Sequence, residues 1–135
     1  MTKNIKEVRV LLVDDMQPMR FLINAYLSRI GVSNVTEAIN GEIALRFLQN
    51  KNFDLVICEW DMPVMNGLDL LKVMRNDPRL QHQKFIMLTA HTSAELVREA
   101  IAAGVTDYIV KPFTLPVYGE TSHRWIHPAD RPGVD

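Results

Sequence analysis

Six polar side chains stand where short apolar runs stop. Asp14 and Asp15 follow the run Val8 to Val13, and Glu59 and Asp61 follow Leu55 to Cys58. Thr89 follows Phe85 to Leu88, and Lys111 follows Tyr108 to Val110. A strand that is dry along its length and charged at its exit aims that charge into a cleft. Converging carboxylates repel one another, and without a partner at least one has its pKa raised. A hard divalent cation relieves the repulsion, and Mg²⁺ favours one or two carboxylates together with water and phosphate oxygens. A lysine and a threonine beside such a set suit a phosphoryl group: the ammonium pairs with its charge and the hydroxyl hydrogen-bonds an oxygen. The chain carries no glycine-rich phosphate loop, which argues against a nucleotide triphosphatase. No serine–histidine or cysteine–histidine pair lies near the strand ends.

The elements that must position these groups are legible in the patterning. Val8 to Val13 reads as a strand buried on both faces, with the near-continuous apolar character that implies. Pro18 suits the first turn of a helix, where a missing N–H costs nothing. Phe21, Leu22, Ala25, Tyr26 and Ile30 follow at helical spacing, and Gly31 fits the left-handed position past the helix end. Val35 to Ala38 is a second strand, and Asn40-Gly41 opens a second helix with Ile43, Ala44, Phe47 and Leu48 inward. The third strand, 55–58, runs into the turn Met62 to Gly67. Leu68, Leu71 and Met74 mark a third helix, and residues 77–84 form a polar connection. After the fourth strand, Thr92 or Ser93 caps a helix whose expected inner face is Leu96, Val97, Ala100 and Ile101. Gly104 ends that helix, and Tyr108 to Val110 is the fifth strand. Five buried strands alternating with helices predict an α/β fold, a doubly wound parallel sheet with helices on both faces. Ligands of such sheets bind outside the carboxyl ends of the strands.

The chain has 135 residues, enough for one domain with a core of its own. Its formal net charge of −1 gives no global field to attract nucleic acid or an anionic membrane. The apolar runs are strand-sized, too short to span a bilayer. A single cysteine, Cys58, excludes an internal disulfide and reads as a small core residue. With no secretory leader at the start, a cytoplasmic setting is expected. Trp60 is expected at the cleft rim, and His91 is expected to be exposed to solvent, where it could tune access. His123 and His127, four apart, are a weak candidate metal pair in a poorly helical stretch.

Four motifs lie at the ends of four strands: Val13-Asp14-Asp15, Trp60-Asp-Met-Pro-Val-Met-Asn-Gly67, Leu88-Thr89-Ala90 and Tyr108-Ile-Val-Lys111-Pro112-Phe113. Together, over roughly residues 8–115, they resemble the receiver domains of two-component response regulators, most of all the single-domain chemotaxis regulators. The resemblance implies a flavodoxin-like sheet of order 2-1-3-4-5. It implies that Asp14 and Asp15 are the acidic pair holding Mg²⁺, Asp15 directly and Asp14 through water, and that the Asp61 backbone carbonyl joins the metal shell. Thr89 corresponds to the switch hydroxyl, Lys111 to the lysine that contacts the phosphoryl group, and Tyr108 to the aromatic that changes rotamer. The Lys111-Pro112 bond matches one that is usually cis in the family. The implied partners are a histidine kinase or phosphotransfer protein upstream and an output protein, such as a flagellar motor component, downstream. Such a module is not an enzyme beyond assisting its own phosphorylation and dephosphorylation.

Two positions depart from the pattern. The family accepts phosphoryl on an aspartate ending the third strand, where this chain has Glu59, also counted among the metal-site carboxylates. The extra methylene moves the carboxylate by roughly 1.5 Å, and a 1 Å misplacement in such an attack can cost ~10²-fold. Glu59 could pair with Lys111 and mimic the phosphorylated state. A natural pseudo-receiver, an engineered mimic and a slow glutamate acceptor are all compatible with this residue. Asp61, two residues on, is a weaker candidate acceptor. The second departure is the stretch 116–135, where Pro116, Gly119, Pro128, Pro132 and Gly133 leave no convincing fifth helix. The expected organisation is a receiver domain over 1–115 with an irregular tail over 116–135. That tail is either a truncation or appended sequence, or a region completed by a homodimer. Rival readings are a pseudo-receiver that binds partners without phosphoryl chemistry, and a haloacid-dehalogenase-like phosphatase built on Glu59-Trp-Asp61.

Overall fold

The structure is a computed structural model, and it describes residues 4–111. A short 3₁₀ turn, Ile5–Glu7, leads into β1 (Arg9–Val13). There follow α1 (Gln17–Arg29), β2 (Asn34–Ala38), α2 (Gly41–Asn50), β3 (Leu55–Cys58) and α3 (Gly67–Arg75). The chain continues through β4 (Phe85–Thr89), α4 (Ala94–Ala102) and β5 (Asp107–Val110). All four pairings are parallel and the order is β2-β1-β3-β4-β5. The α/β flavodoxin-like expectation holds. The cis expectation at Lys111-Pro112, the histidine pair 123/127, the tail and the missing fifth helix fall outside the described residues.

Alternation along the strands divides the core in two. Leu11, Val13, Val56, Cys58, Phe85 and Met87 point to one face, where α2, α3 and α4 supply Ala44, Leu48, Leu70, Leu71, Met74 and Ala100. Val10, Leu12, Leu55, Ile57, Ile86 and Leu88 point to the other, where α1 supplies Ile23 and Leu27. Successive Cβ atoms of a strand face opposite ways, so a strand buried on both sides must be apolar at every position.

The helix starts follow their local chemistry. Asn40, Asn66 and Ser93 each accept a backbone N–H two to three residues into the helix, from Ile43, Asp69 and Leu96. Ser93, rather than Thr92, is the cap of α4. Pro18 lies in the first turn of α1 as expected. Gly31, at φ 102°, takes the left-handed position after that helix.

Two inner faces differ from the expectation. In α1 the buried residues are Ile23, Tyr26 and Leu27, whereas Phe21 is 77% exposed and Leu22 is exposed as well. Ile23 and Leu27 pack into the core on that face, and Arg20 and Asn24 both hydrogen-bond Glu37 on β2 in the same orientation. In α4 Ala100 is buried, Leu96 and Val97 are half-buried, and Ile101 faces outward. The connection 77–84 is not wholly polar in role: Leu80 is buried, and Arg75 donates to its carbonyl.

Candidate functional site

The ladder runs one residue past each strand and so fixes the backbone of the charged residues. The Asp14 N–H donates to the Ala38 carbonyl at 3.0 Å and the Glu59 N–H to the Val13 carbonyl at 2.9 Å. The Lys111 N–H donates to the Thr89 carbonyl at 2.7 Å. Val13 pairs with Cys58 in register, so Asp14 and Glu59 emerge side by side. The turn after β3 closes tightly: the Gly67 N–H donates to the Trp60 carbonyl, and a Cβ at Gly67 would collide with the Glu59 carbonyl.

Three charges meet there. The Lys111 ammonium donates to Glu59 Oε1 at 2.6 Å and to Asp14 Oδ2 at 3.2 Å. The second Glu59 oxygen accepts the Trp60 N–H at 2.6 Å and the Asp61 N–H at 3.3 Å. Asp14 Oδ1 accepts the Met16 N–H at 2.9 Å, and Arg20 donates to the Asp14 carbonyl at 2.7 Å. Side-chain exposure is 13% for Lys111, 10% for Glu59 and 2% for Asp14, so water screens the cluster little. Thr89 Oγ1 is fully buried beside them without an aligned hydrogen bond.

The electrostatics differ between the two acids. Burial pushes Glu59 up, but the hydrogen bond from Lys111, the nearby Thr89 hydroxyl, the Lys111 charge and the Asp61 N–H outweigh it. Its pKa falls below the ordinary value. Asp14 goes the other way: burial dominates, and the Met16 N–H and Lys111 offset it only in part, while the Glu59 charge adds to the rise. Burial would lower Lys111, yet its bond to Glu59 and the charges of both acids hold it above its usual range. Cys58 is a buried core thiol raised well above its usual range by burial first and by the Glu59 and Asp14 charges next.

The remaining acids face a different space. Asp15 is exposed and lines an open groove with Asp61, Met62, Pro63 and Asn66. That groove offers two carboxylates, within the one or two that Mg²⁺ takes together with water and phosphate oxygens. The donor set therefore fits a partly hydrated cation at Asp15 and Asp61. The carboxylates of Asp14 and Glu59 are engaged by Lys111. Among the described residues no three His, Cys, Asp or Glu side chains gather as a ready metal set.

Two expectations about the rim are corrected. Trp60 is buried at 7% exposure and packs edge-on against His91, ring centroids 5.7 Å apart. His91 is half-buried rather than solvent-exposed, and its Nε2 lies 2.7 Å from Asp61 Oδ2. The Tyr108 hydroxyl donates to the His91 carbonyl at 2.9 Å. Tyr108, raised by burial first and by the Glu59 and Asp61 charges next, keeps its proton. Sequence reasoning missed Arg20, the His91–Asp61 pair and Val64, which sits in the β3–α3 turn at φ 71°. A positive φ at a β-branched residue has no signature in the apolar pattern.

The comparisons with known proteins agree with this geometry. The response regulator receiver domain family matches residues 10–118. The chain is 42% identical over 113 residues to the chemotaxis protein CheY of Pseudomonas aeruginosa, covering 84% of this chain and 91% of that one. It is 44% identical over 109 residues to CheY-3 of Vibrio cholerae, covering 81% and 84%. Among solved structures, the chemotaxis response regulator CheY4 of Vibrio cholerae superposes with a TM-score of 0.79 at 34% identity, covering 87% of this chain and 98% of that one. The ordered sheet, the acid–lysine cluster at its carboxyl edge and these matches establish that the chain belongs to the receiver domain family of two-component response regulators, with CheY-type chemotaxis proteins among its relatives.

Proposed function

We propose that the chain is a phosphorelay receiver module in which Glu59 stands at the phosphoacceptor position and holds the pocket in one charge state. The observation that carries this reading is the 2.6 Å bond from the Lys111 ammonium to Glu59 Oε1, with Asp14 Oδ2 at 3.2 Å. A phosphoryl group added after β3 would need that same ammonium. The longer glutamate already takes it, and two backbone N–H groups hold the other carboxylate oxygen. Glu59 is ionised at neutral pH despite its burial, because its pKa lies below the ordinary value.

The remaining roles follow from position. Asp15 would hold Mg²⁺ directly, Asp14 through water, and the Asp61 carbonyl would join the shell; Glu59, the fourth group the resemblance counts there, would join it only on leaving Lys111. Bound Mg²⁺ would offset the negative charge of a donor's phosphoryl oxygens. Thr89 and Tyr108 are the readout pair, and Thr89 and Lys111 are the groups that would contact a phosphoryl. The module occupies 1–115, with 116–135 as a tail, and acts as a signalling part rather than an enzyme. Its partners are a histidine kinase or phosphotransfer protein and, from its chemotaxis relatives, an output protein such as a flagellar motor component. A cytoplasmic site follows from those partners. Among the described residues no helix is long and apolar enough to cross a membrane.

One observation favours a second reading. Lys111 pairs with both acids without a metal, and no three-ligand set gathers among the described residues. A pseudo-receiver that only docks partners, alone or as a homodimer, would need nothing more.

Amide NMR spectra with Mg²⁺ and acetyl phosphate test the main reading against a Glu59→Asp variant. With Mg²⁺ already saturating in the reference spectrum, added acetyl phosphate leaves Thr89 and Tyr108 unmoved in a fixed-state wild type and moves them in the variant. Movement of both residues in the wild type would refute the fixed state. Silence in both proteins would favour the pseudo-receiver.

A further inference from the structure

The β4–α4 connection touches the pocket mouth through one residue. The His91 ring is held on two sides, by Asp61 Oδ2 at 2.7 Å and by the Trp60 indole at a 69° interplanar angle. Its carbonyl accepts the Tyr108 hydroxyl at 2.9 Å. Trp60 and Asp61 are also the residues whose N–H groups grip Glu59. A continuous chain of contacts therefore leads from Glu59 through Trp60 and Asp61 to His91 and on to Tyr108. Among the described residues no hydrogen bond joins Asp61 to Tyr108 without His91 between them.

We propose that His91 is a positioning residue that couples the occupancy of Asp61 at the pocket mouth to the orientation of Tyr108 on β5. Anything that draws the Asp61 carboxylate away, a cation in the groove or a partner's ammonium, frees one side of the imidazole. The half-buried ring then loses its only polar tie among the described residues, and the loop that presents the His91 carbonyl is released. Tyr108 must follow, because a half-buried hydroxyl that loses its acceptor has to find another or turn to water. The coupling goes beyond the reading of Glu59 and does not depend on it, since every contact in the chain exists without a phosphoryl group. It has physical content only if Asp61 and Tyr108 communicate through His91 rather than through space.

The test uses the full chain labelled with 3-fluorotyrosine, with the Tyr108 resonance assigned by Tyr108→Phe. Asp61→Ala is expected to move the Tyr108 fluorine resonance toward its solvent-exposed position, and His91→Ala to move it the same way. The double variant should move little further than His91→Ala, the small remainder being the direct effect of the Asp61 charge on Tyr108, so most of the Asp61 effect is lost in the His91→Ala background. His91→Gln, whose amide can still donate to Asp61, should restore the wild-type position. A structural role alone would not produce that rescue. Asp61 and His91 are surface-reaching side chains, and overlaid amide spectra check that each variant is folded. An Asp61→Ala shift of equal size with and without His91 would mean that the Asp61 charge acts directly on Tyr108, and would overturn the proposal. A Tyr108 resonance that moves in neither single variant would overturn it as well.

Discussion

The two edges of the sheet use the same kinds of bond for opposite ends. At the amino edge, the residue before a strand clamps the neighbouring strand reciprocally. Asp54 donates its N–H to the Arg9 carbonyl at 2.8 Å and accepts the Arg9 N–H on Oδ2 at 2.7 Å. Thr106 does the same to Phe85, donating to its carbonyl at 2.8 Å and accepting its N–H on Oγ1 at 2.9 Å. These clamps finish the ladder with local partners. At the carboxyl edge the ladder also continues, but the side chains of Asp14, Glu59 and Lys111 turn to one another. The amino edge is built of separate local pairs that do not depend on one another. The carboxyl edge is built of mutually dependent charges, each of which leaves the others exposed to desolvation when it is lost. Structure is stored at the first edge and chemistry at the second.

The comparison breaks first at Lys111. In Lys111→Met, Glu59 and Asp14 lie side by side in a nearly dry site with no counter-charge. Breaking a buried pair in this way costs about 3 kcal/mol, read as a lowered urea midpoint at neutral pH. Asp54→Ala at the amino edge removes one acceptor that water can replace, and the expected loss is about 1 kcal/mol. Equal losses for the two variants would erase the distinction between the edges. Val64→Gly sharpens it in the other direction. The β-branched residue holds φ 71° beside the pocket, and relieving it should raise stability by about 0.5 kcal/mol after the extra chain entropy of glycine is subtracted.

The smallest effect is a pH signature. Glu59 has a folded pKa below its ordinary 4.5, so its stabilisation is complete above that value and is lost as the pH falls through the folded pKa. Glu59→Gln should therefore differ from the wild type by a constant amount above pH 4.5, with the gap narrowing only below it. A gap that narrows between pH 7 and pH 5 would place the Glu59 pKa above its ordinary value and contradict the Lys111 pairing.

The parts legible in the sequence were those with a local signal. An apolar run that stops at Asp14, Glu59, Thr89 or Lys111 announces both a buried strand and a polar exit, and parallel pairing then brings those exits together. The strand order 2-1-3-4-5 came from the family resemblance, since apolar periodicity does not rank strands. The rotation of α1 was misread because Phe21, Leu22 and Ile23 are all apolar. The choice among them depends on how α1 lies against the sheet, a contact between elements in which Ile23 enters the core and Arg20 and Asn24 reach Glu37. The His91–Asp61 pair joins residues thirty apart through two loops, where no period exists to be read. Val64 was invisible for the same reason: turn backbone angles follow from closure of the whole β3–α3 connection.

The most direct test of the central claim is intact mass after incubation with Mg²⁺ and acetyl phosphate, the wild type beside Glu59→Asp. If Glu59 already fills the place of the phosphoryl group, the wild type gains no phosphoryl mass and the variant gains one. A wild-type adduct mapped to Glu59 would mean that its carboxylate leaves Lys111 to attack a phosphodonor, and the fixed-state account would be wrong.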